Sequence, residues 1–469
     1  MPELQFLGAT GTVTGSKYLL TTGNQKVLID CGLYQGLPAL KDKNWKPFPI
    51  QPNEIDAIFI THAHLDHTGY LPKLVQLGYR GPIYATSSTA ELMNIVLLDS
   101  AHLQEEEASF HKQGNGCCPD AEPLYTVQDA SEALHLIKQI RFGEKFERGN
   151  LTVEFLQAGH ILGSAFIRIT VKENGTEETI LFTGDMGRYG SPILNDPTPV
   201  TESDYLLLES TYGDRSHSTI SREDALLPPI QECLKRKGCL LMPAFTIGRT
   251  QEILYTIRVL LQQNKIPPIP VYIDSPMAID VTHIYATHHD EHDLDLEKME
   301  KEGNSPFQFP SLNYVRTVEA SKALNEAKGP IIIISANGMA TGGRIMHHLV
   351  HRLPDPNTIL LFVGYQAEGT RGRQLLEGAK SVKIFHQDIP VKATIMQSDT
   401  FSAHGDFTEI LRWLAGFTKP PGKVFLVHGE PDGREGLKRH ILEKFPSWNI
   451  ELPAEAATED LTLTLRRSS

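Results

Sequence analysis

The first two hundred positions alternate short apolar runs with turn-forming residues. Residues 4–7, 17–20 and 26–29 are strand-like and separated by Gly/Thr and Gly-Asn turns, which predicts a β-meander. The branched run 55–60 reads as a buried strand, followed by a short helix over 71–77, a strand over 82–86 and a helical stretch from 88 to about 113. Residues 114–119 break that helix, and helical periodicity returns over 127–140. Further strands are predicted at 151–156, 179–182 and 205–208.

From about residue 212 the pattern changes. Helical 221–237, 249–263, 278–302 and 343–353 alternate with near-continuous apolar strands at 239–242, 270–274, 331–334 and 359–363, with a Pro-rich connector ahead of 331. Strands apolar on both sides imply a parallel α/β sheet covered on both faces. A strand at 392–397, a helix over 408–416 and a strand at 423–427 follow. The expected organisation is a first domain in two pieces, 1–209 and 395–469, with a separate α/β domain, 210–394, inserted between them.

Polar residues at strand ends carry the candidate chemistry. The run 55–60 leads into Thr61-His62-Ala63-His64-Leu65-Asp66-His67-Thr68-Gly69, a His-x-His-x-Asp-His cluster. On an extended segment His62 and His64 project to one side and can share a metal, while Asp66 and His67 point elsewhere and can serve a second. Asp30 ends the third strand and fits a group that orients a ligand. His160 and Asp185 follow strands beside glycines that let backbone approach a ligand, Glu209 closes the strand 205–208, and His404 and His428 follow later apolar runs. His102, His111 and His135 have no companions at ligand spacing and read as surface or packing residues.

Composition narrows the class. The 469 residues are 40% apolar and 22% charged, ordinary for a globular protein of two or three domains. No run of 18 or more apolar residues occurs and Met1-Pro2-Glu3-Leu4 enters directly on a strand, so a soluble, cytoplasmic protein with no membrane partner is expected. Five cysteines without Cys-x-x-Cys spacing argue against a disulfide framework and a thiolate zinc site. The net charge of −13 resides wholly outside 210–394, where 20 basic residues balance 20 acidic ones. A polyanion would have to be held by local arginines.

The cluster with Asp30, His160 and Asp185 resembles the ligand set of the metallo-β-lactamase fold. Glu209-Ser210-Thr211-Tyr212-Gly213, Ser402-Ala403-His404 and Val427-His428-Gly429-Glu430 are similar to motifs A, B and C of its β-CASP nuclease branch, which includes the cleavage and polyadenylation nuclease subunit and bacterial RNA-degrading relatives. Residues 243–251, 335–344 and 364–373 add further similar segments, in order, so that the likeness spans residues 4 to about 445. It implies an α/β fold: a metallo-β-lactamase αββα sandwich with an inserted parallel α/β β-CASP domain.

The resemblance also implies roles. His62, His64 and His160 would hold one metal, Asp66, His67 and His428 the other, and Asp185 would bridge them. This all-N/O set favours two Zn2+, with Mn2+ compatible. Two such ions supply an activated hydroxide and clamp the phosphoryl oxygens, while His404, held by Glu209, would act as general acid; Asp66 stands beside that chemistry. The glycine-rich segment with Ser335, Asn337, Gly338, Gly342 and Arg344, together with Arg249, Arg371, Arg373 and Ser402, would track RNA phosphates, with Phe245 or Tyr365 as aromatic complement. RNA is the expected substrate and partner, and a homodimer is compatible with the sequence. The DNA-directed branch typically lacks the motif C histidine that is present here as His428, and a small-molecule hydrolase of this fold would need no arginine-bearing insert.

Overall fold

A computed structural model describes residues 2–23, 25–112, 121–173, 175–364, 366 and 369–461. Two compact units emerge: one of residues 1–190, 196–216 and 404–469, the other of 191–195 and 217–403.

In the first unit two seven-stranded sheets face each other. One runs in the order Thr458–Asp460, Glu3–Phe6, Tyr18–Thr22, Gln25–Ile29, Ala57–Phe59, Ile83–Thr86, Ile137–Ile140. The other runs Ile450–Glu451, Lys423–Val427, Tyr205–Glu209, Thr176–Phe182, Ala165–Glu173, Leu151–Gln157, Lys145–Arg148. Their inner faces interdigitate through Phe6, Phe59, Phe155, Phe182 and Phe425, all buried. Removing one such ring costs about 3–5 kcal/mol. The helices Phe407–Leu414 and Pro431–Lys444 cover the second sheet's outer face through Trp413, Leu414, Leu437 and Ile441 against Leu206, Leu208 and Leu426. Three helices, Leu71–Gln76, Ser87–Phe110 and Val127–His135, pack together beside the first sheet. This is the αββα sandwich.

The last part of the chain belongs to this sandwich by register. Lys423–Val427 pairs in parallel with Tyr205–Glu209, and Thr458–Asp460 pairs antiparallel with Glu3–Phe6. Because Gln25–Ile29, Ala57–Phe59 and Ile83–Thr86 run parallel, as do Thr176–Phe182, Tyr205–Glu209 and Lys423–Val427, their carboxyl ends fall along common edges. Every candidate metal-site residue lies just past such an end or beside it.

The second unit is built on a six-stranded sheet, Leu312–Tyr314, Val271–Ile273, Ile331–Ser335, Cys239–Pro243, Ile359–Phe362 and Thr394–Gln397, parallel at every pairing. Its apolar strands, buried throughout at Ile331–Ser335 and Cys239–Pro243, are what helices on both faces require.

Several expectations need correction. The unit runs to residue 403, beyond the expected 394, because Thr394–Gln397 is its edge strand, paired with Ile359–Phe362. The helix expected over 127–140 stops at His135, and Ile137–Ile140 pairs in parallel with Ile83–Thr86. The helix expected over 278–302 is two helices, Pro276–Thr287 and Leu294–Lys301, joined by a short 3-10 turn. Within the stretch expected as connector lie the strand Leu312–Tyr314 and the helix Val318–Glu326, capped by Thr317. Cys117, Cys118 and the whole 114–119 break lie outside the described residues, as does Tyr365; Cys31, Cys233 and Cys239 are buried and free. Among the described residues no helix is long and apolar enough to cross a membrane.

Candidate metal centre and active site

The run Ala57–Phe59 is buried, and past its end come His62 and, on extended backbone, His64, while Asp66 and His67 fall in the single helical turn Leu65–Thr68. The loop is pinned from below. Ser16 N donates to Asp66 O, Cys31 N to His67 O and Leu33 N to Leu65 O, at 2.7–2.9 Å. Gly32 permits that approach: a Cβ there would stand 1.5 Å from the Asp66 carbonyl oxygen. Buried Lys17 adds a hydrogen bond from Nζ to Gly32 O at 2.5 Å and lies over the rings of Tyr34 and Tyr70. Burial pushes its amine down to about 8.

Asp30, with a left-handed φ of 59°, accepts from Thr61 N at 2.8 Å and faces His67 Nδ1 at 2.7 Å. A carboxylate only accepts, so Nδ1 carries the proton and Nε2 of His67 is turned to the cleft. Thr61 was not singled out in the sequence. Its hydroxyl touches Asp30, His62 Nδ1 and His67 Nδ1, at 2.9–3.4 Å, and only its place directly before His62 hinted at this.

Seven side chains from four strand ends converge. His62, His64, His160 and Asp185 form one group and Asp66, His67 and His428 another, the donor atoms of each lying within 4.8 Å of one another. Asp185 faces both: Oδ2 is 3.4 Å from His62 Nε2 and 3.6 Å from His160 Nε2, and Oδ1 is 3.3 Å from His67 Nε2 and from His428 Nδ1. His428, at φ 46°, also has Nε2 3.4 Å from Asp66 Oδ2.

The donor set fits divalent metal. Imidazole nitrogens face one another at 3.1 Å for His62 Nε2 and His64 Nδ1, 3.1 Å for His67 Nε2 and His428 Nε2, and 3.4 Å for His160 Nε2 and His64 Nδ1. A tetrahedral ion with bonds of about 2.0–2.1 Å separates its ligand nitrogens by about 3.3 Å. Burial, then the neighbouring imidazoles, drive His62 well below its ordinary value, so its lone pair is available. For His67 burial acts the same way, but Asp185 and Asp30 outweigh it and the ring is raised well above. A chain without cations keeps a proton there; a bound cation takes its place.

His404 is brought to the same centre in a different role. Its Nδ1 lies 3.2 Å from both Glu209 oxygens and 3.9 Å from Asp185 Oδ2, and its ring packs on His160 at 4.4 Å between centroids. Glu209 is fully buried and also accepts from Met186 N at 2.6 Å. Gly405 N donates to Met186 O, which ties the His404 loop to the segment carrying Asp185.

The candidate phosphate residues all fall in the second unit. The loop after Ile331–Ser335 is closed by Asn337 N to Gly342 O and Ile345 N to Ala336 O, and Asn337 Oδ1 accepts from Met339 N. Gly338 passes close to Phe245, which is 40% exposed, whereas a Cβ on Gly342 would meet nothing. Its arginines are engaged by protein. Arg344 Nη1 donates to Asp274 Oδ1 at 2.6 Å and Nη2 to Arg316 O at 2.7 Å. Arg371 Nη1 donates to Ala340 O at 2.8 Å and Nη2 to Lys383 O at 3.0 Å. Arg249 reaches Val363 O, and Arg373 pairs with Glu377 at 2.7 Å. Ser335 Oγ donates to Asp274 O, and Ser402 is buried with its N–H on Asp399 O. Arg344, Arg371 and Arg249 therefore staple the loops they were expected to arm. The hub Asp274, with Ser321 at 2.5 Å and His348 at 2.7 Å, was missed altogether.

Two sheets, helices outside them and a buried carboxylate between two clusters of N/O donors define a metallo-hydrolase of the metallo-β-lactamase class. Comparison with known proteins agrees. The sequence matches the metallo-beta-lactamase superfamily over residues 10–212, the Beta-Casp domain over 250–375 and the Zn-dependent metallo-hydrolase RNA specificity domain over 388–453. It is 39% identical to a ribonuclease of Thermus thermophilus over 427 residues, covering 91% of this chain and 92% of that protein. It is 32% identical to an RNase J-like protein of Methanocaldococcus jannaschii, covering 92% and 93%, and 30% identical to a transcription termination factor FttA of Methanosarcina mazei, covering 93% and 68%. A crystal structure of an Enterococcus faecalis protein of unknown function shares the fold, with a TM-score of 0.54 at 13% identity over 98% of this chain and 99% of that one. The chain belongs to the β-CASP family of metallo-β-lactamase-fold nucleases.

Proposed function

We propose that the protein is a ribonuclease that hydrolyses RNA phosphodiester bonds with two zinc ions, His62, His64 and His160 holding one, Asp66, His67 and His428 the other, and Asp185 both. The observation that carries this reading is Asp185, whose two oxygens face two different donor groups at 3.3–3.6 Å. Donors that are all nitrogen and oxygen, with imidazole in the majority, favour zinc over harder ions. When bound, such ions supply Lewis acidity, a water activated at neutral pH and charge neutralisation for the phosphoryl oxygens.

The protein's own groups do the rest. Asp30 and Thr61 hold His67 in one tautomer, and the loop pinned by Gly32 and Lys17 fixes the ligand spacing before any ion binds. His404 gives its Nδ1 proton to the hydrogen bond with Glu209, which leaves Nε2 to protonate the leaving oxygen. Burial favours the neutral ring, but the charge of Glu209, its hydrogen bond and Asp185 outweigh that and raise His404 to about 9. That value falls when positive charge is bound close by, toward the range where an imidazolium can deliver a proton at neutral pH. RNA as substrate draws on the names of the relatives and on the RNA specificity domain matched over 388–453.

The test is direct: zinc-loaded protein with RNA and DNA of equal length, labelled at either end, and product sizes followed in time. Cleavage of RNA that disappears in Asp185→Ala is expected. Cleavage of DNA alone, or of neither with the ions bound, would contradict the reading.

A further inference from the structure

The break in the expected helix 278–302 produces a second cluster of metal-ligating groups, within the second unit. In one continuous helix Glu300 would stand about 16 Å along the axis from His289 and about 12 Å from His292, at about 1.5 Å per residue. The 3-10 turn His289–Glu291 folds the chain back, so that Glu300 Oε2 lies 3.1 Å from His289 Nδ1 and 3.6 Å from His292 Nδ1. The donor atoms of His289, His292 and Glu300 all fall within 4.8 Å of one another.

His292 shows what that cluster lacks. Its side chain is fully buried, and Nε2 lies 2.7 Å from the Tyr285 carbonyl oxygen. A carbonyl only accepts, so Nε2 carries the proton and Nδ1 of the neutral ring presents a bare lone pair. Nδ1 is buried and has no hydrogen-bond partner. It is aimed at a carboxylate oxygen, two acceptors face to face. Either a proton on Nδ1 or a cation between the groups resolves that conflict. The separations of 3.1 and 3.6 Å to Glu300 Oε2 bracket the about 3.3 Å that a tetrahedral ion imposes on its ligands, and they exceed the length of a charge-assisted hydrogen bond for His292, about 2.7–2.9 Å.

We propose that His289, His292 and Glu300 form an accessory site for a divalent transition ion, zinc foremost, separate from the centre in the first unit. Two imidazoles and one carboxylate fill three positions and leave the fourth to water. His289 is the exposed ligand, with 65% of its side chain accessible, and gives the ion its way in. The ion ties the turn to the helix Leu294–Lys301. It also secures the segment 191–195, which meets the turn through Asp293 N to Ile193 O and Asn195 N to Glu291 O. The role is structural: the cluster holds the bend that the sequence pattern alone would have straightened.

The experiment uses the full chain, zinc alone as probe and two readouts. Zinc per chain after gel filtration should fall by one in His289→Gln, a change at an exposed side chain that leaves the fold intact, with the catalytic complement and RNA cleavage retained. Titrating zinc into stripped protein should raise Tm in two stages, and His289→Gln should lose one stage while Asp185→Ala loses the other. Glu300→Gln, which keeps the shape but removes the charge, should weaken the accessory site at least tenfold. Equal zinc content in wild type and His289→Gln, with identical Tm titrations, would mean a protonated His292 paired with Glu300 and no metal, and would overturn the proposal. Because the losses are read separately in Asp185→Ala and His289→Gln, failure of this site and failure of the two-ion reading remain distinguishable.

Discussion

Both units bury an aspartate against histidine, and the two environments differ in the source of positive charge. Asp274, in the second unit, accepts from Ser321, His348 and Arg344, and the arginine supplies the positive charge from within the chain. Burial alone would raise its carboxyl; those donors hold it below the ordinary value. Asp185, in the first unit, is faced by imidazoles with the Glu209 carboxylate close by and no arginine or lysine paired with it among the described residues, and pairs of those imidazoles face each other at 3.1 Å. The first network is closed by its own cation and is structural. The second calls for cations from outside, and that difference separates a brace from a reaction centre.

The largest expected effect breaks the comparison on both sides. Asp185→Ala should abolish RNA cleavage and the metal bound in the first unit together while the fold persists, read by metal analysis and circular dichroism. Asp274→Ala should do the opposite. It leaves buried His348 and part-buried Arg344 without their carboxylate, costs about 3–5 kcal/mol in denaturant unfolding, and keeps the metal content of the first unit.

Next in size is His404→Ala, which should lower the rate about 10²–10⁴-fold with both ions retained. On a nitrophenyl phosphodiester, whose leaving group needs no proton, the loss should shrink. Loss of metal in this variant would make His404 a ligand instead of an acid.

A smaller effect is expected from Asp30→Asn, which keeps the volume but removes the charge that orients His67. Metal affinity should weaken about 10–100-fold in a competition titration. Unchanged affinity would show that Thr61 and the pinned loop suffice.

The smallest effects divide the arginines. Arg373→Ala, at an exposed pair with Glu377, should change stability by less than about 0.5 kcal/mol and weaken RNA binding alike for different sequences, with a salt slope reduced by about 1. Arg371→Ala should instead lower stability by about 1–3 kcal/mol, because the carbonyls of Ala340 and Lys383 lose their donor. Equal and purely electrostatic effects from both would show that Arg371 too meets phosphate directly.

The same contrast explains what was legible in the sequence. The candidate ligands each follow an apolar strand, and parallel strands bring their carboxyl ends to one edge, so spacing and periodicity pointed to them together. The Asp274 hub gave no such sign. Its partners come from the helix Val318–Glu326, the residue capping Ile345–Arg352 and that helix itself, and no local pattern links them. The arginines were visible as charges near strand ends, but their carbonyl acceptors depend on loop geometry that composition does not encode. The bend at 288–293 was hidden because its polar residues suit a helix surface as well as a turn, and the burial of Glu291 and His292 distinguishes the two.

The central claim is that Asp185 lies between two ions. Crystals of the zinc-loaded protein, measured at the zinc absorption edge, test it with a single anomalous difference map. In the first unit two peaks about 3.5–4 Å apart are expected, one against His62, His64 and His160, the other against Asp66, His67 and His428, with Asp185 beside both. A single peak in that unit at full zinc loading, or two with Asp185 outside the pair, would contradict it.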